Sequence, residues 1–315
     1  MMKSSSISIV VPIYNGEKYI INLLPILKEI HSTLSVEVFF VDSSSSDNSL
    51  ELLNSYGFEN IHIISGLKFD HGGTRTMIGK MCSGDIIIYL TQDALPLDIC
   101  SIKKITTVFK DDLIGAAFGR QLPYKQSNLF GKHLRKFNYG VQSYIRDIND
   151  KDLYGIKTAF LSNSFAAYRR SSMEEIGWFK DGLILGEDTY AGAMLLKKGY
   201  KLAYVSDAQV YHSHSYTILE EFKRYFDIGV FHNMEIWILD EFGKPEGEGV
   251  RYVKSELNYL FKHNAYYLFP EFIVRNVMKY LGYKLGRNFE FLPKNVVMKF
   301  SMHHRWWNKY FKEAL

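Results

Sequence analysis

Three apolar runs that break off on polar side chains constrain this chain most: ISIVVPIYN ends at Asn15, VEVFFVD at Asp42 and IIIYLTQDALP at Pro96. Helical patterns alternate with these runs at the spacing of βαβ units, which predicts an α/β chain with a mostly parallel central sheet flanked by helices. In an open sheet of this kind, ligands bind in the crevice beyond the carboxyl ends of the strands. The polar groups that end the runs would line that crevice. Such a pocket suits a nucleotide and a metal.

After Asn15, EKYIINLLPILKEIH puts Ile20, Leu23, Leu24, Leu27 and Ile30 at helical spacing, with Pro25 a candidate kink. SSSSDNSLELL offers Ser and Asp residues for an N-cap ahead of a second helix, and IHIIS is a short strand. HGGTRTMIGKMCSG supplies a glycine turn and another helix. Past residue 97, a helix over ICSIKKITTVF and a strand near IGAAFG are expected. Residues 120–155 are polar, aromatic and irregular, and are read either as a mobile lid over the pocket or as a surface excursion. GEDTYAGAMLLKKG reads as a helix opened by two acids and closed by Gly199, and KLAYVSDAQVYHSHSY as a bent strand or strand pair. From Ile218 onward helical patterns dominate. The expected division is 1–217 for the α/β domain and 218–315 for a helical, basic and aromatic C-terminal region.

At 315 residues the chain can bury a sizeable core. No apolar run approaches the roughly 20 residues a membrane-spanning helix needs. MMKSSSISIVV runs straight into the first strand with no apolar leader segment, so an intracellular protein is expected. Cys82 and Cys100 alone build neither a disulfide framework nor a cysteine zinc site, and are read as two buried thiols. The net charge of +4 is unevenly spread, because residues 251–315 hold twelve Lys and Arg against four Asp and Glu. That end also carries Trp306, Trp307, Tyr310 and Phe311, the make-up of a segment lying on an anionic membrane surface. A set of core anchors or a homodimer interface is the alternative. No recognised nucleic-acid module accompanies the basic tail, so no nucleic-acid partner is expected.

VVPIYNGEKYI, VDSSSSDNS, HGGTR, TQDA, GED and VYHSHSYT follow one another at fitting intervals. In that order they resemble the inverting glycosyltransferases of family 2, and HGGTR with TQDA resembles their bacterial rhamnosyltransferase branch. The resemblance covers residues 7 to about 235. It implies the GT-A fold, a dTDP- or UDP-sugar donor with dTDP-rhamnose foremost, and Mg2+ or Mn2+. It also implies a saccharide acceptor that is polymeric or lipid-linked, met from the cytoplasmic side at the inner face of a bacterial membrane.

Glycosyl transfer must grip the base and ribose, neutralise the departing diphosphate and deprotonate the acceptor hydroxyl. By the resemblance, Asp42 would hydrogen-bond N3 of a uracil or thymine, with Tyr14 near the ring face and Pro12, Asn15 and Glu17 close by. Taken alone, Asp42 reads as a cap of the following helix. Gly72 and Gly73 would let backbone amides approach a ligand, and Arg75 would reach the base or phosphates. In TQDA, Asp93 matches the second Asp of the family's D-x-D, Gln92 precedes it, and Thr91 stands where the first Asp would be. That weaker cage would be completed by His212 or His214, with His212 preferred. Glu187 and Asp188 match the ED signature, whose Asp serves as general base, although two acids at a helix start also favour its dipole. Trp178 and Asn163 are candidates for acceptor contact, Trp178 being a core candidate as well.

Two other readings fit part of the pattern. A nucleotidyltransferase would share the pocket but needs a glycine-rich phosphate loop with Lys or Arg, a pattern missing from VVPIYNGEKYI. With Thr91 in place of an acid, the chain also suits a nucleotide-sugar-binding partner subunit without catalysis. A family 2 transferase using a UDP-hexose is a further alternative.

Overall fold

The computed structural model describes residues 5–313. The chain runs β1 (Ile7–Ile13), α1 (Glu17–Leu34), β2 (Glu37–Asp42), α2 (Ser49–Ser55), β3 (Asn60–Ile63), α3 (His71–Met81) and β4 (Ile86–Leu90). This is the predicted alternation. Next come β5 (Leu95–Pro96), α4 (Ile99–Thr106), β6 (Ile114–Leu122), α5 (Leu129–Asn138), β7 (Tyr144–Arg146) and α6 (Lys151–Tyr154). They lead into β8 (Phe165–Arg169), α7 (Arg170–Glu175), α8 (Glu187–Lys197) and β9 (Lys201–Tyr211). Helices follow: α9 (Ile218–Met234), α10 (Ile236–Phe242), α11 (Glu246–Lys262), α12 (Phe269–Arg287), α13 (Lys294–Phe300) and α14 (His304–Glu313).

The strands form one sheet in the order β3-β2-β1-β4-β8-β6-β9-β5, with β7 pairing β9. Strands β1 to β4 are mutually parallel, β8 is antiparallel to both β4 and β6, and β9 is parallel to β6. The carboxyl ends of β1, β2, β4, β6 and β9 therefore share one edge with the amino end of β8. Asn15, Asp42, Asp93, Asn163 and His212 all belong to segments at that edge. Alternate residues of β1 point to opposite faces, Val10 one way and Ile9 and Val11 the other, yet all three are buried. Helices cover both faces, as a parallel sheet requires. Leu24 and Leu27 of α1 with Ile102 of α4 fill one side; Ile78 of α3, Leu195 of α8 and Phe226 of α9 fill the other. Pro25 sits at an exposed position of α1 and does not end the helix.

Three expectations change. Residues 120–155 are not irregular: they finish β6 and form α5 and β7, and the buried Arg146 donates to the carbonyls of Lys157 and Phe160. β7, of three residues, is too short to carry a sequence period, whereas the ten-residue α5 is amphipathic but lies among aromatic and polar residues that mask its pattern. The aromatic end does not lie outward. Trp307 is fully buried, ringed by Phe289, Trp306, Tyr310 and Phe311, in the same core that holds Phe226 and Ile78. Residues from both expected divisions thus share one core. Finally, Cys82 is buried, its thiol pushed up to about 12 by burial, but Cys100 is exposed. Among the described residues no helix is long and apolar enough to cross a membrane.

Candidate active site

Asp93 follows β4, and His212 and His214 follow β9, so the sheet edge brings together groups far apart in sequence. One donor atom from each of the three lies within 4.8 Å of the others. Asp93 Oδ2 is 3.4 Å from His212 Nε2 and 3.6 Å from His214 Nε2. The sequence left the two histidines as alternatives; the structure brings both to Asp93. Gln121 Oε1 already accepts from Arg135, and it lies 2.8 Å from His212 Nδ1, which therefore carries the proton. The Nε2 lone pair then faces the carboxylate.

Burial holds both imidazoles down, His214 to about 4, so both are neutral at neutral pH. Burial by itself would raise Asp93. Hydrogen bonding and the imidazoles beside it instead keep that carboxyl well below the usual range. Two imidazole nitrogens and an ionised oxygen directed at one point, with His212 oriented from behind by Gln121, are a donor set that fits a divalent cation.

The acids lie at the start of α8. Gly186 precedes them at φ 83°, a left-handed conformation natural to glycine, and a Cβ there would stand 2.9 Å from the Phe231 ring. Glu187 is buried, 3.2 Å from Arg75 Nη1 and accepting from Asn163 Nδ2 at 3.0 Å. Asn163 Oδ1 in turn accepts from Tyr168 at 2.7 Å. Asp188 is only partly buried and accepts from the backbone amides of Asn163 at 3.2 Å and Thr189 at 2.7 Å. Burial, then the charge of Glu187, pushes the Asp188 carboxyl up to about 7. Burial works against ionisation of Glu187 too, but Arg75 overcomes it and holds that carboxyl low. Two adjacent carboxylates thus divide into an anchored anion and a group ready to take a proton near neutrality.

At the β1 and β2 ends the predicted polar residues bond mainly to one another. Asp42, 1% exposed, accepts from Ser45 N at 2.9 Å and Ser45 Oγ at 2.5 Å. It does not cap α2, whose N-cap position is Asn48. Asn15 accepts from Ser46 N at 2.8 Å, Glu17 accepts from Asn48 Nδ2 at 3.0 Å, and Pro12 stands beside Val41 in the sheet. Gln92 brackets Tyr14, accepting from its N–H at 2.9 Å and donating to its carbonyl at 3.1 Å. Two hollows adjoin at this joint. One of about 350 Å³ is lined by Lys18, Tyr19, Gln92, Asp93, Tyr124 and His214. The other, of about 490 Å³, is lined by Tyr14, Phe69, His71, Leu183, His303 and Arg305.

Several candidates are placed differently from the sequence reading. Arg75 does not reach for a ligand: it is buried, held by Glu187 and the His71 carbonyl at 2.9 Å. Glu187 is turned inward to Arg75 and Asn163 rather than toward the cleft. The Gly73 amide donates to Asp70 at 2.6 Å, capping α3. A Cβ on Gly72 would stand 1.9 Å from the Lys180 carbonyl oxygen, so this glycine serves a backbone approach within the protein. Gly72→Ala is expected to lower stability by about 1–3 kcal/mol, measured as a fall in the urea midpoint at constant slope. An unchanged midpoint would mean that the Lys180 segment yields freely. Trp178 is buried against Gly79 and Asn163 sits behind the acids, so neither presents an acceptor surface.

Two cations at the cleft escaped the sequence reading. Arg224 is exposed on α9, its guanidinium 5.9 Å from the Tyr216 ring, which stacks on His214 at 5.1 Å. After burial, its charge is among those that depress His71, His212 and His214. Arg305 of α14 lies over the Tyr14 ring at 4.8 Å and donates to its hydroxyl at 2.7 Å. A single Arg in a helical pattern looks like a solvated face, so only tertiary placement marks these two.

The profile of glycosyl transferase family 2 matches residues 8–177. The O-antigen chain rhamnosyltransferase RfbN of Salmonella typhimurium is 42% identical over 303 residues, 96% of this chain and 96% of its own. The O-antigen chain rhamnosyltransferase WbaN of Salmonella anatum is 43% identical over 273 residues, 86% of each chain. Among solved structures, the mannosyltransferase PcManGT from Pyrobaculum calidifontis, in complex with GDP-Man and Mn2+, superposes with a TM-score of 0.63 at 13% identity, covering 92% of this chain and 89% of its own. S. aureus TarS 1–349 in complex with UDP-GlcNAc gives 0.54 at 16% identity, covering 98% and 92%. At such identities the likeness is one of fold.

Proposed function

The chain belongs to glycosyl transferase family 2, and from that membership and the site we propose that it moves an L-rhamnosyl group from dTDP-rhamnose onto a growing O-antigen chain. The fold is GT-A and the protein is a glycosyltransferase. The observation that carries rhamnose over other sugars is the likeness, along nearly the whole chain, to two O-antigen chain rhamnosyltransferases. A lipid-linked acceptor met at the cytoplasmic face of the membrane completes the reading.

In the proposed reaction an acceptor hydroxyl gives its proton to a carboxylate oxygen of Asp188 as its own oxygen bonds to the anomeric carbon. The bond from that carbon to the diphosphate oxygen breaks, the nucleoside diphosphate keeps the electron pair, and the configuration inverts. Asp93, His212 and His214 would hold a divalent cation, Mn2+ more readily than Mg2+ given two imidazole donors, and that ion would supply charge neutralisation to the leaving diphosphate. Arg224 and Lys18 add fixed positive charge at the same mouth. Asn163 keeps both acids in place through its side chain and its amide.

The direct test is incubation of the purified protein with dTDP-rhamnose, Mn2+ and an O-antigen oligosaccharide. Mass spectrometry should find one added deoxyhexosyl unit. Addition from a UDP-hexose in its place would overturn the donor.

The acidity of Asp188 gives the pH dependence. A base raised to about 7 is increasingly protonated below that pH, so kcat should fall about tenfold per pH unit on the acid side. Glu187→Gln removes a like charge from beside it, so Asp188 should ionise more easily and the acid limb should move to lower pH. A limb that stays fixed in this variant would assign the titration to another group.

A further inference from the structure

Helix α12 is built inside out. Toward α9 and α11 it turns Arg275, Lys279, Gly282 and Gly286, all buried. Arg275 reaches Glu221 at 3.1 Å, Glu271 at 2.6 Å and the Tyr216 carbonyl at 2.9 Å; Lys279 lies 3.6 Å from Glu221 and 3.7 Å from Glu256. The glycines bring backbones into contact: a Cβ on Gly282 would stand 2.4 Å from the Phe222 carbonyl oxygen, and one on Gly286 2.0 Å from that of Phe226. The opposite stripe, at i, i+1, i+4, i+7 and i+8, is Ile273, Val274, Val277, Tyr280 and Leu281, between 44% and 60% exposed. Tyr267, 78% exposed, and Phe261 continue apolar surface into the preceding turn.

A helix at a water-facing surface shows the reverse arrangement, with charge outward. Polar groups paired inward, small residues at the helix crossing and aliphatic side chains outward are what packing in lipid favours. The charge around the stripe has one sign in excess. Between residues 253 and 300 the charged side chains that are not buried number six basic and two acidic, and Lys284 extends over the Tyr280 ring at 5.7 Å. A stem lying along apolar surface with its charge at the tip, beside tyrosines, suits the boundary between acyl chains and anionic headgroups.

We propose that the outer face of α12, with the turn before it, is the surface by which this protein rests on an anionic phospholipid bilayer, orienting the sheet edge to a membrane-held acceptor. The proposal deepens the functional reading and rests on it for the acceptor's place, while the surface itself is argued from α12 alone. It narrows the sequence expectation of a membrane contact through the C-terminal helices, moving it from residues 306–311, whose Trp307 is buried, to α12.

The test is flotation of the full chain with vesicles of phosphatidylcholine alone and with phosphatidylglycerol added. A triple variant, Val274→Gln, Val277→Gln and Leu281→Gln, keeps residues that favour helix at exposed positions. The protein should float with the anionic vesicles, and the variant should partition at least about tenfold less at unchanged Tm. Equal flotation of both proteins, or none by the parent, overturns the proposal. So does light scattering that finds a dimer which the variant dissociates, with no effect on flotation, since a second copy would then cover the stripe. Metal-dependent hydrolysis of dTDP-rhamnose without acceptor separates the two readings. Its presence with failed flotation removes the surface alone, and its absence with normal flotation removes the enzymatic reading alone.

Discussion

Asp188→Asn is expected to reduce kcat by about 10²- to 10⁴-fold, the usual contribution of a positioned base, while donor affinity measured by calorimetry stays as it was. The amide nearly matches the carboxylate in shape and its one oxygen can still accept from the backbone amide of either Asn163 or Thr189, which in the parent donate to different oxygens, but it takes no proton. Stability gives a second readout with a definite sign. A carboxyl raised from its ordinary value to about 7 costs stability above that pH, because the folded state then holds a charge it disfavours. The variant removes that pH-dependent cost at the expense of one backbone hydrogen bond, so the fall in Tm that the parent shows as pH rises to 8 should be smaller in the variant. Loss of both turnover and donor binding, or of neither, would remove Asp188 from the role of base.

The second large effect belongs to the cluster of Asp93, His212 and His214. Asp93→Asn and His212→Ala should each weaken Mn2+ binding by more than about 100-fold, beyond what loss of a group behind a ligand costs, read by electron paramagnetic resonance of the free ion. Donor hydrolysis should fall with it. His214→Ala distinguishes a three-donor site from a pair: binding as weak as in His212→Ala supports three donors. Manganese affinity unchanged in all three variants would place the ion elsewhere.

The sheet was legible because its strands are short apolar runs ending on turn residues, and the βαβ spacing leaves few ways to connect them. Asp93, Asp188 and the two histidines were legible as types at strand ends and a helix start. Whether a polar residue at that edge turns outward or inward was not. Arg75 and Glu187 look like pocket groups in sequence, but each finds its best partner in the other, across more than a hundred residues of chain. Asn163 carried no distinguishing signal in SNS, and its position became meaningful only once β8 started beside β4. Trp306 and Trp307 misled for the opposite reason: aromatics among lysines suit an interface as well as a core, and burial of Trp307 against Phe289, with Trp306 packed on it, decides between them. The apolar stripe of α12 was overlooked because its inward face is charged, so the helix seen as a string averages to neither class.

The contact of Arg305 with Tyr14 has a bearing on synthesis. A chain still on the ribosome presents β1 early, yet one wall of the hollow beside it arrives only when residues some 291 positions later have emerged. That hollow should therefore stay open along its Tyr14 side until the segment around Arg305 has left the ribosome, however early β1 takes its place in the sheet.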